Sequence, residues 1–118
     1  MDLWNFQAVV KRVVDADTID VDLDCGFRIY LNLRLRLARI NAPEVYGVKK
    51  GSEEYQKGME ATEALEALMP VGSEIRVHTE KSGKYGRYIA EVYLDVEGEE
   101  VNISDHLVRI GHAVYHDY

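Results

Sequence analysis

Apolar and polar residues alternate with a period of two through much of the first forty positions, the spacing of strands that bury one face. Residues 7–14 have the β-branched content of a first strand and Asp15-Ala16 has turn chemistry, while Ile19, Val21 and Leu23 alternate through a second strand at residues 18–24. Cys25-Gly26 turns the chain again. A long third strand is expected over residues 27–37, with Phe27, Ile29, Leu31, Leu33, Leu35 and Leu37 on one face and Arg28, Arg34 and Arg36 on the other. At residues 38–40 the alternation changes phase, as a β-bulge would cause.

The period then lengthens. Ser52 can N-cap a helix whose first turn carries Glu53 and Glu54. Tyr55, Met59, Thr62, Leu65 and Met69 form its core-facing stripe until Pro70-Val71-Gly72 stops it. Ile75, Val77 and Thr79 alternate in a fourth strand, residues 82–86 connect, and residues 88–94 form a fifth. Asn102 N-caps a short helix ending at Gly111. Trp4 and Phe6 read as aromatic caps on the core. The predicted class is mainly β with two helices (α+β), in the order βββαββα. A helix between the third and fourth of five strands is the arrangement of the OB-fold Greek-key barrel, which commonly binds nucleic acids or oligosaccharides. A chain of 118 residues suits one such domain, spanning residues 1–118.

Composition changes this picture little. No run approaches the roughly 18 apolar residues of a membrane span, and no basic segment followed by an apolar one opens the chain, so a cytoplasmic setting without membrane partners is expected. Cys25 is the single cysteine, which rules out an intrachain disulfide. A net charge of −7 argues against a protein that coats nucleic acid, because such affinity comes from phosphate neutralisation. Distribution matters more: between Arg28 and Lys57 seven basic residues face three acidic ones, a local balance of +4. The acids gather at Asp20, Asp22 and Asp24 and at Asp95, Glu97, Glu99 and Glu100, read as solvated faces. His112 and His116 have zinc-like spacing, but nothing completes a tetrahedral set around them.

The candidate chemistry lies in three short polar clusters: Asp15-Ala16-Asp17-Thr18, the run from Arg36 to Glu44 (Arg-Leu-Ala-Arg-Ile-Asn-Ala-Pro-Glu), and Lys84-Tyr85-Gly86-Arg87. Carboxylate and amide oxygens can hold a hard divalent cation, a further carboxylate can activate water, and two guanidinium groups can clamp a phosphate bidentately. Each cluster alone reads as turn residues or surface charge. In an OB barrel, however, the start of the second strand, the end of the third and the loop into the fifth meet at one mouth, which would bring Asp17, Arg36, Asn41, Glu44 and Arg87 together.

In this order the clusters resemble the staphylococcal (thermo)nuclease family, over about residues 9–115. The resemblance implies a calcium-dependent nuclease that cleaves DNA and/or RNA, single strands preferred, to products with 3′-phosphates. It implies that Asp17, the side-chain oxygen of Asn41 and the carbonyl of Ala42 hold the ion. Glu44 would act on the attacking water, Arg36 and Arg87 would clamp the phosphate, Lys84 and Tyr85 would hold a terminal phosphate, and Tyr115 would lie near the base. Asn41 stands where an aspartate is common, Ala42 where a threonine is common, and Gly83 where an aspartate often precedes Lys84. An amide oxygen still ligates calcium, with lower expected affinity. A catalytically silent nucleic-acid-binding module and a protein-interaction domain remain the alternatives, as monomer or homodimer.

Overall fold

The computed structural model describes residues 5–42, 51–80 and 88–116. Its elements in chain order are β1 (Asn5–Asp15), β2 (Thr18–Asp24), β3 (Tyr30–Leu37), β4 (Ile40–Asn41), α1 (Glu53–Leu68), β5 (Glu74–Glu80), β6 (Tyr88–Val96), β7 (Glu99–Asn102), α2 (Ile103–Arg109) and β8 (Val114–Tyr115).

The long β1 serves two neighbours. It pairs antiparallel with β2 from Gln7↔Asp24 to Asp15↔Thr18, and with β5 from Asn5↔His78 to Val9↔Glu74. Register shifts at Val10/Arg12 and Val13/Asp15 add the local bend that lets one strand belong to both sides of a barrel. β2 pairs with β3 and β5 with β6, and a parallel contact between β3 and β6 closes the circuit at Leu35↔Tyr88, Arg36↔Ile89 and Leu37↔Ala90. The expected five-stranded OB-type barrel is therefore present, with β7 added beside β6.

Period-two alternation fills its interior. Ile19, Val21, Leu35, Leu37, Val77 and Val92 are fully buried, and each such side chain contributes on the order of 1.5–3 kcal/mol by leaving water. α1 plugs the barrel through Ala61 and Leu65 together with Met69 at its C-cap, and α2 through Ile103 and Leu107. Ser52 caps α1 as expected, its hydroxyl oxygen accepting from the Tyr55 N–H at 3.1 Å. Asn102 caps α2, accepting from the Asp105 N–H at 3.1 Å. Phe6 packs against the core from its margin, whereas Trp4 lies outside the described residues. Among the described residues no helix is long and apolar enough to cross a membrane.

Three local readings change. The third strand begins at Tyr30, because Gly26, Phe27 and Arg28 adopt φ of 82°, 54° and 62° and form a left-handed loop. The apolar face therefore starts late: Ile29 and Leu31 stay half-exposed, and full burial begins at Leu35. The phase change at residues 38–40 is a turn with Arg39 at φ 65°, after which Ile40 and Asn41 pair with Tyr115 and Val114. The acidic run at residues 95–100 is a hairpin: Glu97 and Gly98, both at positive φ, make a two-residue turn between β6 and β7. Asp20 and Asp22 face solvent as expected but also make cross-strand ion pairs, with Arg34 at 2.8 Å and Lys11 at 3.2 Å.

Candidate active site

The turn between β1 and β2 buries its carboxylate. Ala16 is fully enclosed and Asp17 is only 7% exposed, so the Asp17 oxygens must find partners inside the protein. Oδ1 accepts from the Thr18 hydroxyl at 3.0 Å, and Oδ2 accepts from the Ala42 N–H at 3.2 Å. The remaining partner is Arg36. Its neighbours Leu35 and Leu37 point into the barrel, so alternation sends Arg36 to the opposite face of β3, across from Thr18. There its Nη1 lies 3.2 Å from Asp17 Oδ2, a nearly enclosed ion pair. Its Nη2 donates to Asn41 Oδ1 at 2.9 Å and to the Ile40 carbonyl at 3.2 Å. One guanidinium thus ties the β1–β2 turn to β4. Asp17, Arg36, Asn41 and Ala42 form one cluster, and a cavity of ≈ 250 Å³ lined by Asn41, Ala42 and residues 111–114 lies beside it.

The segment carrying Asn41 is held from its other side by Arg39. Arg39 Nε and Nη2 grip the two Glu91 oxygens at 2.5 and 3.0 Å, Nη1 donates to Asp105 at 3.0 Å, and the guanidinium lies over the Tyr115 ring at 5.9 Å. The Tyr115 hydroxyl donates to the same Asp105 oxygen at 2.9 Å, and Asn102 Nδ2 donates to Glu91. The Arg39 carbonyl accepts from the His116 N–H at 2.8 Å. Burial pushes the Glu91 carboxyl up, but bonds from Arg39 and Asn102 outweigh it and leave Glu91 below the usual carboxylate range. The Arg39 hydrogen bond lowers Asp105 in the same way. Its bond to Asp105 raises the Tyr115 phenol.

Depressed carboxyls stabilise the fold above their unfolded values, near pH 4, and that stabilisation is lost as acid titrates them through their lower folded values. Arg39→Ala is expected to cost about 1–2 kcal/mol at neutral pH, the half-exposed guanidinium limiting the loss. Arg39→Gly should cost roughly 1 kcal/mol less than alanine because of the left-handed φ. Urea midpoints from pH 7 down to about pH 2 check this. Wild type should lose more stability than either variant on acidification, and parallel curves would show that the clamp contributes nothing.

The expected site residues divide into groups. Asp17, Asn41, Ala42 and Arg36 come together. Tyr115 stands on β8 opposite Ile40, next to Asn41, with its hydroxyl donating to Asp105. Glu44, Lys84, Tyr85 and Arg87 lie outside the described residues, and the chain re-enters them at Tyr88, paired with Leu35. Among the described residues no three His, Cys, Asp or Glu side chains group as a metal centre, His112 and His116 included. Sequence reasoning missed Arg39 and Glu91. They are 52 positions apart, and no motif or period links them.

No curated protein is matched by this chain. The family model described as staphylococcal nuclease homologue matches residues 34–118. The match takes in Arg36 and the Asn41-Ala42 segment and begins after Asp17, the carboxylate that the β1–β2 turn delivers to the same cluster. With most of its length covered by that model and its strands closed into the corresponding barrel, the chain belongs to the staphylococcal nuclease homologue family.

Proposed function

We propose that this domain is a calcium-assisted nuclease that hydrolyses phosphodiester bonds of DNA and/or RNA, single strands preferred, leaving 3′-phosphates. The observation that carries this reading is the convergence of Asp17 and Asn41 oxygens on the Arg36 guanidinium at 3.2 and 2.9 Å. The donor set fits a hard cation: one carboxylate, one amide oxygen and the Ala42 carbonyl, with no soft ligand among them. When bound there, calcium supplies a concentrated positive charge that offsets the charge of the phosphate.

The side chains have complementary tasks. Arg36, pre-oriented by its oxygen partners, and Arg87 hold non-bridging phosphate oxygens and meet the charge that builds up on them. Glu44 takes the proton of the attacking water, whose oxygen forms the new P–O bond as the bond from phosphorus to the 5′ oxygen breaks and that oxygen takes a proton from solvent. Lys84 and Tyr85 hold the terminal phosphate, and Tyr115 lies near the base. Cation and guanidinium compete for the same Asp17 and Asn41 oxygens, so a phosphate that engages Arg36 favours the cation at those ligands.

The test is release of acid-soluble nucleotides from single-stranded DNA with calcium and with chelator. Calcium-dependent release with 3′-phosphate ends supports the reading. Salt-sensitive DNA binding without cleavage would support a silent binding module instead.

Asn41→Asp is expected to tighten calcium binding, starting from a wild-type affinity near the weak, roughly millimolar end. It adds a formal charge beside Asp17, although the new carboxylate also pairs with Arg36. Calorimetric calcium titration of both proteins with a nucleotide present checks this. Unchanged or weaker binding would remove residue 41 from the ligand set.

A further inference from the structure

The tip of the β2–β3 hairpin departs from an ordinary soluble surface in two independent ways. The first is exposure: Phe27 is 98% exposed, and Ile29, Tyr30 and Leu31 are 54%, 61% and 49% exposed, four large side chains within five positions. The loop that presents them is fixed in place. Cys25 N–H donates to the Ile29 carbonyl at 2.8 Å, Ile29 N–H to the Gly26 carbonyl at 2.9 Å, and Gly26 N–H to Asp24 Oδ1 at 2.9 Å. It holds Phe27 at φ 54°, an unusual conformation for a bulky residue. The second is a backbone edge that no described strand covers. β3 lies against β6 only at residues 35–37, and among the described residues no strand pairs with the outer edge of residues 30–33. That edge reads Tyr-Leu-Asn-Leu, without the lysine, proline or inward charge that usually blocks strand addition.

We infer that this edge and tip form a self-association surface whose partner is a second copy of this chain, joined β3 to β3 across a twofold axis. Charge favours that occupant. Arg34 is paired with Asp20 and Lys11 with Asp22, and at the tip the charge of Arg28 is matched by that of Asp24, so the hairpin offers phosphates little uncompensated positive charge. Nucleic acid and anionic membranes both need a net positive surface. Residues 30–33 carry no charge, so two antiparallel copies meet without repulsion, and one patch serves both partners as a twofold interface requires. The exposed parts of the four side chains amount to roughly 500 Å² per copy, about 1,000 Å² for the pair, which is at the lower limit of a specific interface. A weak dimer is the expected result, with a Kd on the order of 10–100 µM. Six residues separate the Thr18↔Arg36 pair from Asp24↔Tyr30, about 20 Å along the strand, so association leaves the Asp17–Arg36 cluster open.

Sedimentation velocity of the full chain across the micromolar to millimolar range tests the inference. Wild type should move toward twice the monomer mass as concentration rises. Phe27→Gly relieves the left-handed backbone while removing the contact, and Leu31→Lys brings like charges together at the axis. Each should raise the Kd at least about tenfold, while thermal stability at low concentration is unchanged or, for Phe27→Gly, higher. A monomer at every concentration would overturn the inference, as would a dimer that neither variant weakens. So would Phe27→Gly losing single-stranded DNA affinity with self-association intact, which would assign the tip to bases instead.

Discussion

Arg36→Ala is expected to lower phosphodiester cleavage by about a thousandfold and stability by about 3 kcal/mol. The two losses have separate causes. The stability loss arises because Asp17 and Arg36 have side chains only 10% and 12% exposed, so removing the guanidinium leaves a carboxylate enclosed with little solvent to replace its cation. The tie from the β1–β2 turn to Asn41 is lost as well. The activity loss arises because the phosphate then lacks one bidentate donor. Arg36→Lys separates them: it restores part of the ion pair but lacks the planar fork, so stability should recover partly while cleavage stays low. Urea denaturation and single-turnover cleavage at saturating calcium, run on both variants, provide the comparison. If Arg36→Lys cleaves nearly as fast as wild type, charge alone suffices and the clamp is wrong.

Glu44→Gln is expected to keep wild-type stability and lower turnover at least about a hundredfold, the lower range for a positioned general base. Glutamine keeps the size and hydrogen-bonding capacity of the side chain but cannot accept a proton at neutral pH. Glu44 follows Asn41-Ala42-Pro43 in sequence, so the chain leaves the Asp17–Arg36 cluster, at the Ala42 N–H bond to Asp17, two positions before this carboxylate. The effect should fall on turnover under single-turnover conditions and leave calcium-dependent nucleotide affinity largely unchanged. Wild-type turnover in Glu44→Gln would remove this residue from the mechanism.

Parts of the candidate site were legible in one dimension because they depend on local chemistry. The place of Arg36 between Leu35 and Leu37 puts it on the polar face of β3, and the structure has it there. The position of Asp17 just before the second strand marks it as a turn carboxylate, and it is one. The partners of Tyr115 lay beyond motif reading. Its hydroxyl and ring are committed to Asp105 and Arg39, residues with which it shares no sequence pattern. The third strand shows another limit: alternation continues unbroken through Phe27 and Ile29, but pattern alone carries no information about where a hairpin outgrows the barrel that covers it.

By itself the sequence determined the class of the fold, since period-two and helical stripes, the Ser52 and Asn102 caps, and the order of elements all act over a few residues. Tertiary structure alone decided three things. It closed β3 onto β6 at residues 35–37, burying Leu35 and Leu37, while no described strand pairs with the outer edge of residues 30–33. It set Arg39 between Glu91 and Asp105, across separations of 52 and 66 positions. It enclosed Asp17 against Arg36 and the Ala42 N–H, making a turn aspartate part of a buried charged cluster. The physical reason is common to all three: burial and charge pairing depend on distance through the folded chain, and that distance is fixed only when the barrel closes.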